Sequence, residues 1–512
     1  MAVTLSEVLA HDVRHHADKV AVTLDDRGLT YAQLARSVEE ARRFLAPHVG
    51  PGDRVALWLP NSFAWIAAFL ALASLKAVSV PVNTRLTTSE LAVILDDAEV
   101  RVVLADPAYR GRDYVAEACE TRAARLPTVI SASDASTPNG WTLARSGARP
   151  WVSSPMDAPD VFCIQYTSGT TSTPKGVMLT EALYLQTARH VVRCQMLTPN
   201  RSFMSAAPFF HCSGSMHAIT CTLLAGCSLH SVTAWDPEYF LSLIARHRGE
   251  TGHGVFFRDI VALGAEKARG PLSTMKVAYD IGGPDFVRRL HGEFGITGIC
   301  NIYGMTETGG NFTMWFPDDD LDRRIVLNGR PQVGNRIRIV DPASGAVLGP
   351  DQQGEIQMKG ATLTPGYYRR PEANAAAFTA DGWFRSGDLG TLNADNELHF
   401  IARLRDIVRV GGENVSPVEV ELAVQVVTGL KEFSVIGVPD PRLGEVVALV
   451  VLDAAADGDW KATQGELAKR LAGFKLPRHV YAAATMPMTA TNKVQRATLQ
   501  KWAREGRLRR IV

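Results

Sequence analysis

The chain has 512 residues, of which 46% are hydrophobic and 21% are charged, and its formal net charge is +1 at pH 7. This length exceeds what one ordinary hydrophobic core accommodates, so two or more domains of a soluble globular enzyme are expected. The near-neutral charge, with no basic face in the sequence, argues against a nucleic-acid-binding protein.

The cysteines and the most apolar segment bear on where the protein works. Seven cysteines are an odd number, and no pair has the Cys-x-x-Cys spacing, so we expect them to be reduced and mostly buried. The N-terminus lacks an apolar signal core, which predicts a cytoplasmic protein. The longest apolar run, residues 63–75, is too short to span a bilayer and predicts a buried helix.

Apolar periodicity predicts alternating helices and strands near the N-terminus. The predicted elements are helices at 4–15, from 30, at 63–75 and from 88, and strands at 19–24, 54–59, 78–82 and 100–105. Such alternation is typical of layered α/β folds. Residues 127–159 are rich in Ser, Ala, Pro and Gly and predict a surface connection.

Residues 166–176 read Tyr-Thr-Ser-Gly-Thr-Thr-Ser-Thr-Pro-Lys-Gly and suit a polyanion. Glycines let main-chain N–H groups turn toward a phosphate, hydroxyls donate hydrogen bonds, and Lys175 supplies a positive charge. Composition alone favours a Ser/Thr-rich surface loop, but strands predicted at 161–164 and 176–180 make it the tip of a hairpin. Pro174 before Lys175 and Gly176 after it distinguish this loop from that of the P-loop NTPases.

The rest of the sequence divides into three regions with different patterns of predicted elements. Strands at 203–206, 228–231 and 276–279 and helices at 216–224 and 237–246 continue the α/β alternation. From about residue 330, short strands at 336–340, 354–358 and 397–400 predict a β-rich subregion. Helices at 417–426 and 466–471 and strands at 432–437 and 446–452 predict a compact unit of about a hundred residues.

Five further stretches carry polar groups in apolar or glycine-rich settings. They are residues 208–214 with His211, 303–308 after a predicted strand at 299–302, 382–390 with Asp388, 403–417, and 487–496 with Lys493. Taken singly, each has a structural interpretation: a core histidine, a tight turn with a surface charge, or a solvated lysine. Asp388 could also accept two hydrogen bonds from a ribose diol.

Together and in this order, these stretches resemble the AMP-forming adenylating superfamily of acyl-CoA synthetases, peptide-synthetase adenylation domains and luciferases. The resemblance is greatest to acid–CoA ligases, covers nearly the whole chain, and is most specific at 166–176, 303–308, 382–388 and 411–417. It implies a large N-terminal domain, residues 1–404, of layered α/β sheets with a β-rich subdomain. A small mobile α+β domain, residues 405–512, would follow a hinge at Asp406.

In this family, a carboxylate attacks the α-phosphate of ATP, and a thiol then displaces AMP from the acyl-adenylate. Carried over by position, the resemblance assigns ATP binding to Thr167, Ser168, Gly169, Thr170, Thr171, Lys175, Tyr303, Asp388 and Arg403. It assigns catalysis to Lys493, Glu307, Thr306 and His211, with Glu307 holding Mg²⁺. CoA would meet Gly411, Gly412 and Glu413, and the acid would meet Phe210, His211, Phe257, Arg258, Gly282 and Gly283.

Several positions depart from the family pattern. Ser172 stands where a glycine is usual in the phosphate loop, Ala402 and Asn492 also replace glycines, and Arg405 replaces a lysine. In the acid pocket, Arg258 and Asp259 add charge. Either they form a structural ion pair, which we favour slightly, or Arg258 binds an anionic group of the substrate. A small, polar or aromatic acid fits this pocket better than a long aliphatic chain.

Alternatives to an acid–CoA ligase remain open at this stage. The acceptor could be a carrier protein or an amine, or the enzyme could activate an inorganic oxyacid such as nitrite. A light-emitting oxygenase has no specific support in the sequence. The implied partners are therefore ATP with Mg²⁺, a small acid and CoA, with no nucleic acid and no membrane span.

Overall fold

The computed structural model describes residues 4–124, 127–133, 140–147, 156, 160–167, 174–280, 283–411, 413–488 and 494–512. Its helices are α1 Leu5–His16, α2 Tyr31–Leu45, α3 Phe63–Ser74, α4 Thr88–Asp97, α5 Tyr114–Glu120, α6 Glu181–Cys194, α7 Cys212–Gly214, α8 Cys221–Ala225, α9 Pro237–His247, α10 Phe257–Ala262, α11 Ala265–Leu272, α12 Pro284–Gly292, α13 Leu321–Val326, α14 Pro371–Ala377, α15 Pro417–Thr428, α16 Trp460–Leu467 and α17 Arg496–Arg504. Its strands are β1 Val20–Leu24, β2 Arg27–Thr30, β3 Arg54–Trp58, β4 Val78–Pro81, β5 Val100–Ala105, β6 Thr128–Ala132, β7 Trp141–Arg145, β8 Val161–Thr167, β9 Lys175–Thr180, β10 Ser202–Met204, β11 Ser228–Ser231, β12 Thr251–His253, β13 Val277–Asp280, β14 Gly298–Asn301, β15 Thr313–Met314, β16 Arg330–Pro331, β17 Asn335–Val340, β18 Gly354–Gly360, β19 Phe384–Leu392, β20 Leu398–Arg403, β21 Val408–Val410, β22 Glu413–Val415, β23 Phe433–Asp440, β24 Gly444–Leu452, β25 His479–Ala483 and β26 Arg509–Arg510.

Two large sheets form the layered part of the molecule. One has the strand order β7-β6-β5-β3-β4-β8-β9, and the other has the order β14-β13-β12-β10-β11-β1-β2. Within the second sheet, β14, β13, β12, β10 and β11 pair in parallel. Their carboxyl ends therefore meet at one edge, where ligands bind in open α/β sheets.

The smaller sheets are a four-stranded antiparallel sheet, a mixed C-terminal sheet in which β24 and β25 pair in parallel, and the two-stranded sheet β15-β16. The strands β17, β18, β19 and β20 pair in sequence order, which confirms the predicted β-rich subregion. The C-terminal sheet has the order β22-β21-β24-β25-β26, with β23 paired to β24, and α15 and α16 belong to this part of the chain. The predicted α/β class, with a smaller α+β unit at the C-terminal end, is confirmed.

Local sequence explains where the N-terminal helices begin. The first turns of α1, α2 and α4 are capping boxes, in which a threonine and the Glu or Gln three residues later satisfy each other's backbone N–H groups. The predicted buried helix is α3, which is buried along nearly its whole circumference and packs in the largest core. The free cysteines are buried apart from the half-buried Cys119, as predicted.

Three element predictions are wrong in detail. Residues 127–159 are not only a surface connection, because they contain β6 and β7, and the Val129, Ile130 and Ala132 side chains of β6 are fully buried. The helix predicted at 216–224 begins earlier, at α7, and passes through a π-helical turn over Ser215–Thr220 before α8. The helix predicted at 466–471 is α16, which has Asp459 as its N-cap and ends at Leu467. In the described part of the chain, no helix combines the length and the apolar character needed to cross a membrane.

Candidate active site

The strands that flank the predicted phosphate loop pair as a hairpin, as their sequence predicts. Strands β8 and β9 pair antiparallel, with Thr167 opposite Lys175. The residues between them that were predicted to bind ATP, Ser168, Gly169, Thr170 and Thr171, lie outside the described residues, as does Ser172. The described geometry therefore fixes the two ends of the loop, one of which is the half-buried Lys175.

Tyr367 connects this hairpin to the predicted magnesium ligand. The Lys175 ammonium lies 5.2 Å from the centre of the Tyr367 ring, and the Tyr367 hydroxyl donates to Oε1 of Glu307 at 2.8 Å. A bridge between Val177 and Tyr367 holds the tyrosine against β9. Burial, and then the Glu307 carboxylate, raise the pKa of Tyr367, so its hydroxyl stays protonated as a donor.

Sequence reasoning missed Tyr367. The segment Gly-Tyr-Tyr at 366–368 has no charged group to mark it, and its partner Glu307 is 60 residues away. Glu307 itself lies with the predicted Thr306 in a 3-10 turn, Thr306–Thr308, just beyond the carboxyl end of β14. The turn presents a half-buried carboxylate and a half-buried hydroxyl, and Tyr367 links the carboxylate to Lys175 of the other large sheet.

A second cluster joins the ends of the other predicted nucleotide motifs. The Tyr303 hydroxyl donates to Oδ2 of Asp388 at 2.8 Å, and Arg403 Nε lies 3.4 Å from Oδ1 of the same carboxylate. Asp388 and Arg403 face each other across β19 and β20 because the register pairs them. Asp388 thus lies within a strand rather than in the turn that its glycines suggested. The ring of Phe400 stacks on that of Tyr303, with centroids 5.7 Å apart.

Asp388 is prepared to accept one more hydrogen bond. Its side chain is 3% exposed, and Oδ1 is a buried oxygen without a hydrogen-bond partner among the described residues; the Arg403 contact there is an ion pair only. Burial raises the pKa of Asp388 to about 6, against the opposing effects of Arg403 and the Tyr303 hydroxyl. A buried acceptor left over in this way fits a ligand hydroxyl.

His211 is an exposed residue, so its interpretation as a core histidine is wrong. It is the N-cap of α7, and its Nδ1 accepts a hydrogen bond from the Ser213 main-chain N–H at 3.2 Å. The neighbouring Phe210 is half-buried, and its carbonyl accepts from the Gln165 side chain of β8 at 2.8 Å. These bonds place the predicted acid-pocket residues Phe210 and His211 beside the phosphate hairpin.

The remaining acid-pocket residues are dispersed. Phe257, the first residue of α10, is fully buried in the core. Gly283 packs so closely against Leu422 of α15 that a Cβ added to this glycine would lie 2.7 Å from the leucine side chain. Gly282 lies outside the described residues. Arg258 is exposed, with its guanidinium 4.6 Å from the centre of the Phe286 ring.

The ion pair between Arg258 and Asp259 that we favoured is wrong. Asp259 instead accepts a hydrogen bond from the Trp235 indole at 2.8 Å, while Arg258 turns to Phe286. Both residues lie in α10, and adjacent positions on a helix point about 100° apart, so they do not face each other.

The predicted hinge lies in a network of charges. Arg496 at the start of α17 contacts the Asp406 carboxylate at 3.3 Å and the Glu421 carboxylate at 2.5 Å. Three residues before it is the predicted catalytic Lys493, which lies outside the described residues. Gly411, with φ of +59°, opens the tight turn between β21 and β22 and is followed by the undescribed Gly412 and the exposed Glu413.

Comparisons with known proteins cover nearly the whole chain. The family profile described as AMP-binding enzyme matches residues 9–368, and that of the AMP-binding enzyme C-terminal domain matches residues 419–493. A methyl-dioxo-octahydro-indenyl-propanoyl:CoA ligase of Mycobacterium tuberculosis is 31% identical, over 97% of this chain and 98% of the relative. A feruloyl-CoA synthase of an Amycolatopsis species is 32% identical, over 94% and 95%.

Solved structures agree with these relatives. The ATP-bound MatB of Rhodopseudomonas palustris has a TM-score of 0.81 and 29% identity, covering 97% of this chain and 98% of that one. The o-succinylbenzoate CoA synthetase of Bacillus subtilis, solved with ATP and magnesium, has a TM-score of 0.80 and 25% identity, over 96% and 98%. The similarity therefore extends through both parts of the chain, including the C-terminal unit.

Proposed function

Because the chain belongs to the AMP-binding enzyme family and is an AMP-forming acid–CoA ligase, we propose that the acid it activates is small and either polar or aromatic. ATP, with Mg²⁺, and CoA are its co-substrates. The acid class rests on the half-buried Phe210 beside the phosphate hairpin. Nucleotide binding rests on two clusters, Glu307 with Tyr367 and Lys175, and Asp388 with Tyr303 and Arg403.

Each cluster suits one end of a nucleotide. The buried, unsatisfied Oδ1 of Asp388 would accept from a ribose hydroxyl, and the half-exposed Arg403 beside it would donate to the same sugar. The stacked Tyr303 and Phe400 rings offer an aromatic surface for adenine. At the other end, Lys175 would bind the phosphates together with Thr167 and residues 168–171 of the hairpin tip.

Glu307 fits a magnesium ion. Mg²⁺ is held through one or two carboxylates and phosphate oxygens, and Tyr367 occupies one oxygen of Glu307 while orienting the group. The bound ion would neutralise charge on the phosphates. Thr306 in the same turn would donate to the α-phosphate, so that the carboxylate of the acid approaches a less negative phosphorus.

The two half-reactions would use two orientations of the small domain at one active site. We propose that residues 405–512 turn about Asp406, presenting Lys493 for adenylation and the turn at Gly411, Gly412 and Glu413 for CoA. Lys493 would bridge the acid carboxylate and the α-phosphate, where charge concentrates in the transition state. In the second step, the CoA thiolate sulfur forms the thioester bond, and AMP leaves with the electron pair of the acyl–phosphate bond.

The acid would enter beside Phe210 and His211, which adjoin the phosphate hairpin. Arg258 gives little support for an anionic substrate group, because it is exposed and lies over Phe286. Phe210 supplies half-buried aromatic surface, which favours a small aromatic or polar acid over a long aliphatic chain.

Pyrophosphate release across a panel of acids, with and without CoA, tests this function. The panel holds fatty, aromatic and small dicarboxylic acids, with nitrite and an aryl amine as a separate arm. We expect small aromatic or polar acids to give acyl-CoA and AMP in equal amounts, and only when CoA is present. Turnover that depends on an acid but not on CoA would instead support an amine or carrier-protein acceptor.

A further inference from the structure

A cluster of buried aromatic and polar side chains lies at the same sheet edge as the active site but has no part in the reaction described above. His253 ends β12, Tyr279 lies near the end of β13, and Ser205 follows β10. These strands belong to the same run of parallel strands as β14, which leads into the Glu307 turn. His217, from the π-helical turn, completes the cluster.

The cluster is held together by direct contacts. Nδ1 of His217 is hydrogen-bonded to the Tyr279 hydroxyl. The His253 ring stacks on that of Tyr279 at 5.5 Å, with planes 12° apart, and its Nε2 is 2.8 Å from Ser205 Oγ. Both imidazoles are at most 2% exposed. The tyrosine and the serine therefore fix the orientation of each ring.

Each imidazole keeps one ring nitrogen without a partner among the described residues: Nε2 of His217 and Nδ1 of His253. A buried ring nitrogen left unsatisfied costs stability, so a ligand is a reasonable partner for it. Burial holds the pKa of His217 well below its ordinary value and lowers that of His253 to about 3, so both rings are neutral at pH 7.

Gly310 lies against this nitrogen of His217. A Cβ built on this glycine would stand 2.9 Å from His217 Nε2, closer than side-chain contacts allow, so only glycine leaves Nε2 uncovered from this side. Gly310 is half-exposed, has φ of +98°, and follows Glu307 by three residues. Gly310 therefore keeps the nitrogen clear of a side chain at a position three residues after Glu307 in the sequence.

We propose that His217 is a specificity-determining residue, whose Nε2 hydrogen-bonds an uncharged polar group, such as a hydroxyl or a carbonyl, at the far end of the acid. Tyr279 is its positioning residue. The inference rests on the proposed function and narrows its substrate class. A second carboxylate or a sulfonate would be excluded, because two neutral imidazoles provide no counter-charge for a buried anion.

Matched acids test this directly: phenylpropanoate against its para-hydroxy analogue, hexanoate against its keto analogue with the carbonyl next to the terminal methyl, and adipate as the dianion. For the wild-type enzyme we expect kcat/KM to be at least about tenfold higher for the polar member of a pair, since a site built for a hydrogen bond rejects the analogue that lacks it. Adipate should be poorer than either keto or hydroxy acid.

Three substitutions separate recognition from packing. His217→Leu should bring the polar-to-apolar ratio close to one. His217→Gln should keep most of the ratio, because its amide nitrogen reaches the position of Nε2, whereas His217→Asn reaches only Nδ1 and should behave like leucine. The KM for ATP should change less than about twofold in all three, as in the exposed control His15→Gln.

Tyr279→Phe provides a readout if the leucine variant fails to fold. We expect it to raise the KM for the polar acid several-fold with little change in kcat, because the His217 ring loses its fixed orientation. The inference about His217 would be overturned, with the proposed function unaffected, by any of three results. These are a wild-type polar-to-apolar ratio of kcat/KM near one, a preference for adipate, or a wild-type ratio retained in His217→Leu. Failure of every acid to support CoA-dependent turnover would overturn the proposed function instead.

Discussion

The proposed nucleotide cluster around Asp388 and the proposed hinge around Asp406 are built differently. Around Asp388 the contacts are buried and direct, with Tyr303 donating at 2.8 Å to a carboxylate that is 3% exposed. Around Asp406 the contacts are ion pairs with Arg496 and Arg405, and the Asp406 side chain is 23% exposed. Buried hydrogen bonds hold one geometry, whereas ion pairs between partly exposed groups exchange with water at lower cost.

We relate this difference to the proposed roles of the two domains. The large domain would bind ATP in a preformed site, and the small domain would bring Lys493 or the Gly411 turn to that site in turn. The following substitutions test the division, beginning with the largest expected effect.

Lys493→Ala should lower the rate of adenylation by about a thousandfold or more, because it removes the cation that the transition state needs. Thiolysis of a supplied acyl-adenylate by CoA should be nearly unchanged. Single-turnover assays of each half-reaction measure both rates. Lys501→Ala, which removes an exposed lysine of α17, is the matched control. Equal loss of both half-reactions would contradict alternation of the domains.

Glu307→Gln should lower kcat by about a hundredfold, since a neutral amide holds Mg²⁺ poorly. Tyr367→Phe should lower it less, by several-fold at limiting Mg²⁺, because the carboxylate remains but loses its orienting hydrogen bond. Adenylation rates across a magnesium titration distinguish the two variants. Glu293→Gln, at the C-cap of α12, serves as a control. An unchanged magnesium dependence in Glu307→Gln would remove Glu307 from the metal site.

Asp388→Asn should weaken ATP binding by about ten- to a hundredfold and yet stabilise the free protein. Because the pKa of the folded-state carboxyl is about 6 rather than the ordinary 3.8, its contribution to stability is present below pH 4 and is lost as the pH rises through 6. At pH 7 the ionised group costs about 3 kcal/mol, which the amide avoids. Thermal unfolding at pH 7 should therefore show a higher Tm for the variant.

The same residue predicts a pH dependence in sugar recognition. Protonation below about pH 6 removes an acceptor for the ribose diol, so the preference for ATP over 2′-deoxy-ATP should fall between pH 7 and pH 5. Because ATP and 2′-deoxy-ATP carry the same triphosphate, its titration changes both affinities equally and cancels in their ratio. A preference that is independent of pH in the wild-type enzyme would contradict this role for Asp388.

Arg496→Gln should alter the balance of the two half-reactions by about tenfold, because Arg496, three residues after Lys493 in the sequence, joins Asp406 at the proposed hinge to Glu421. Rapid-quench rates for adenylation and thiolysis give the ratio directly. Arg504→Gln at the far end of α17 removes an exposed arginine without touching the hinge. Equal rates in Arg496→Gln and the wild type would leave this arginine with a structural role only.

Ser172→Gly should have the smallest effect, a change of a few-fold in the KM for ATP with little change in acid selectivity. Ser172 lies outside the described residues, in the phosphate loop, where glycine frees the backbone. Steady-state kinetics with two acids of different size measure both quantities. A larger change in the acid ratio than in the KM for ATP would argue against a role in holding phosphate.

The sequence predicts those elements and site residues that are marked by their immediate neighbours along the chain. The strand at 100–105 matches β5 because its apolar run is bounded by polar residues, and Asp388, Glu307 and Tyr303 were marked by glycines and charge. It missed β6, because the Ser, Ala and Pro of its surroundings outweighed five β-compatible residues. It also missed Tyr367 and His217, whose roles arise only from tertiary contacts with residues 60 or more positions away.

Equilibrium binding of ATP, measured by calorimetry without acid or CoA, tests the division between the two regions most directly. The account predicts that Asp388→Asn weakens binding at least tenfold, whereas Lys493→Ala leaves it within about twofold of the wild type even though it abolishes adenylation. Weakened binding in Lys493→Ala together with wild-type affinity in Asp388→Asn would contradict it.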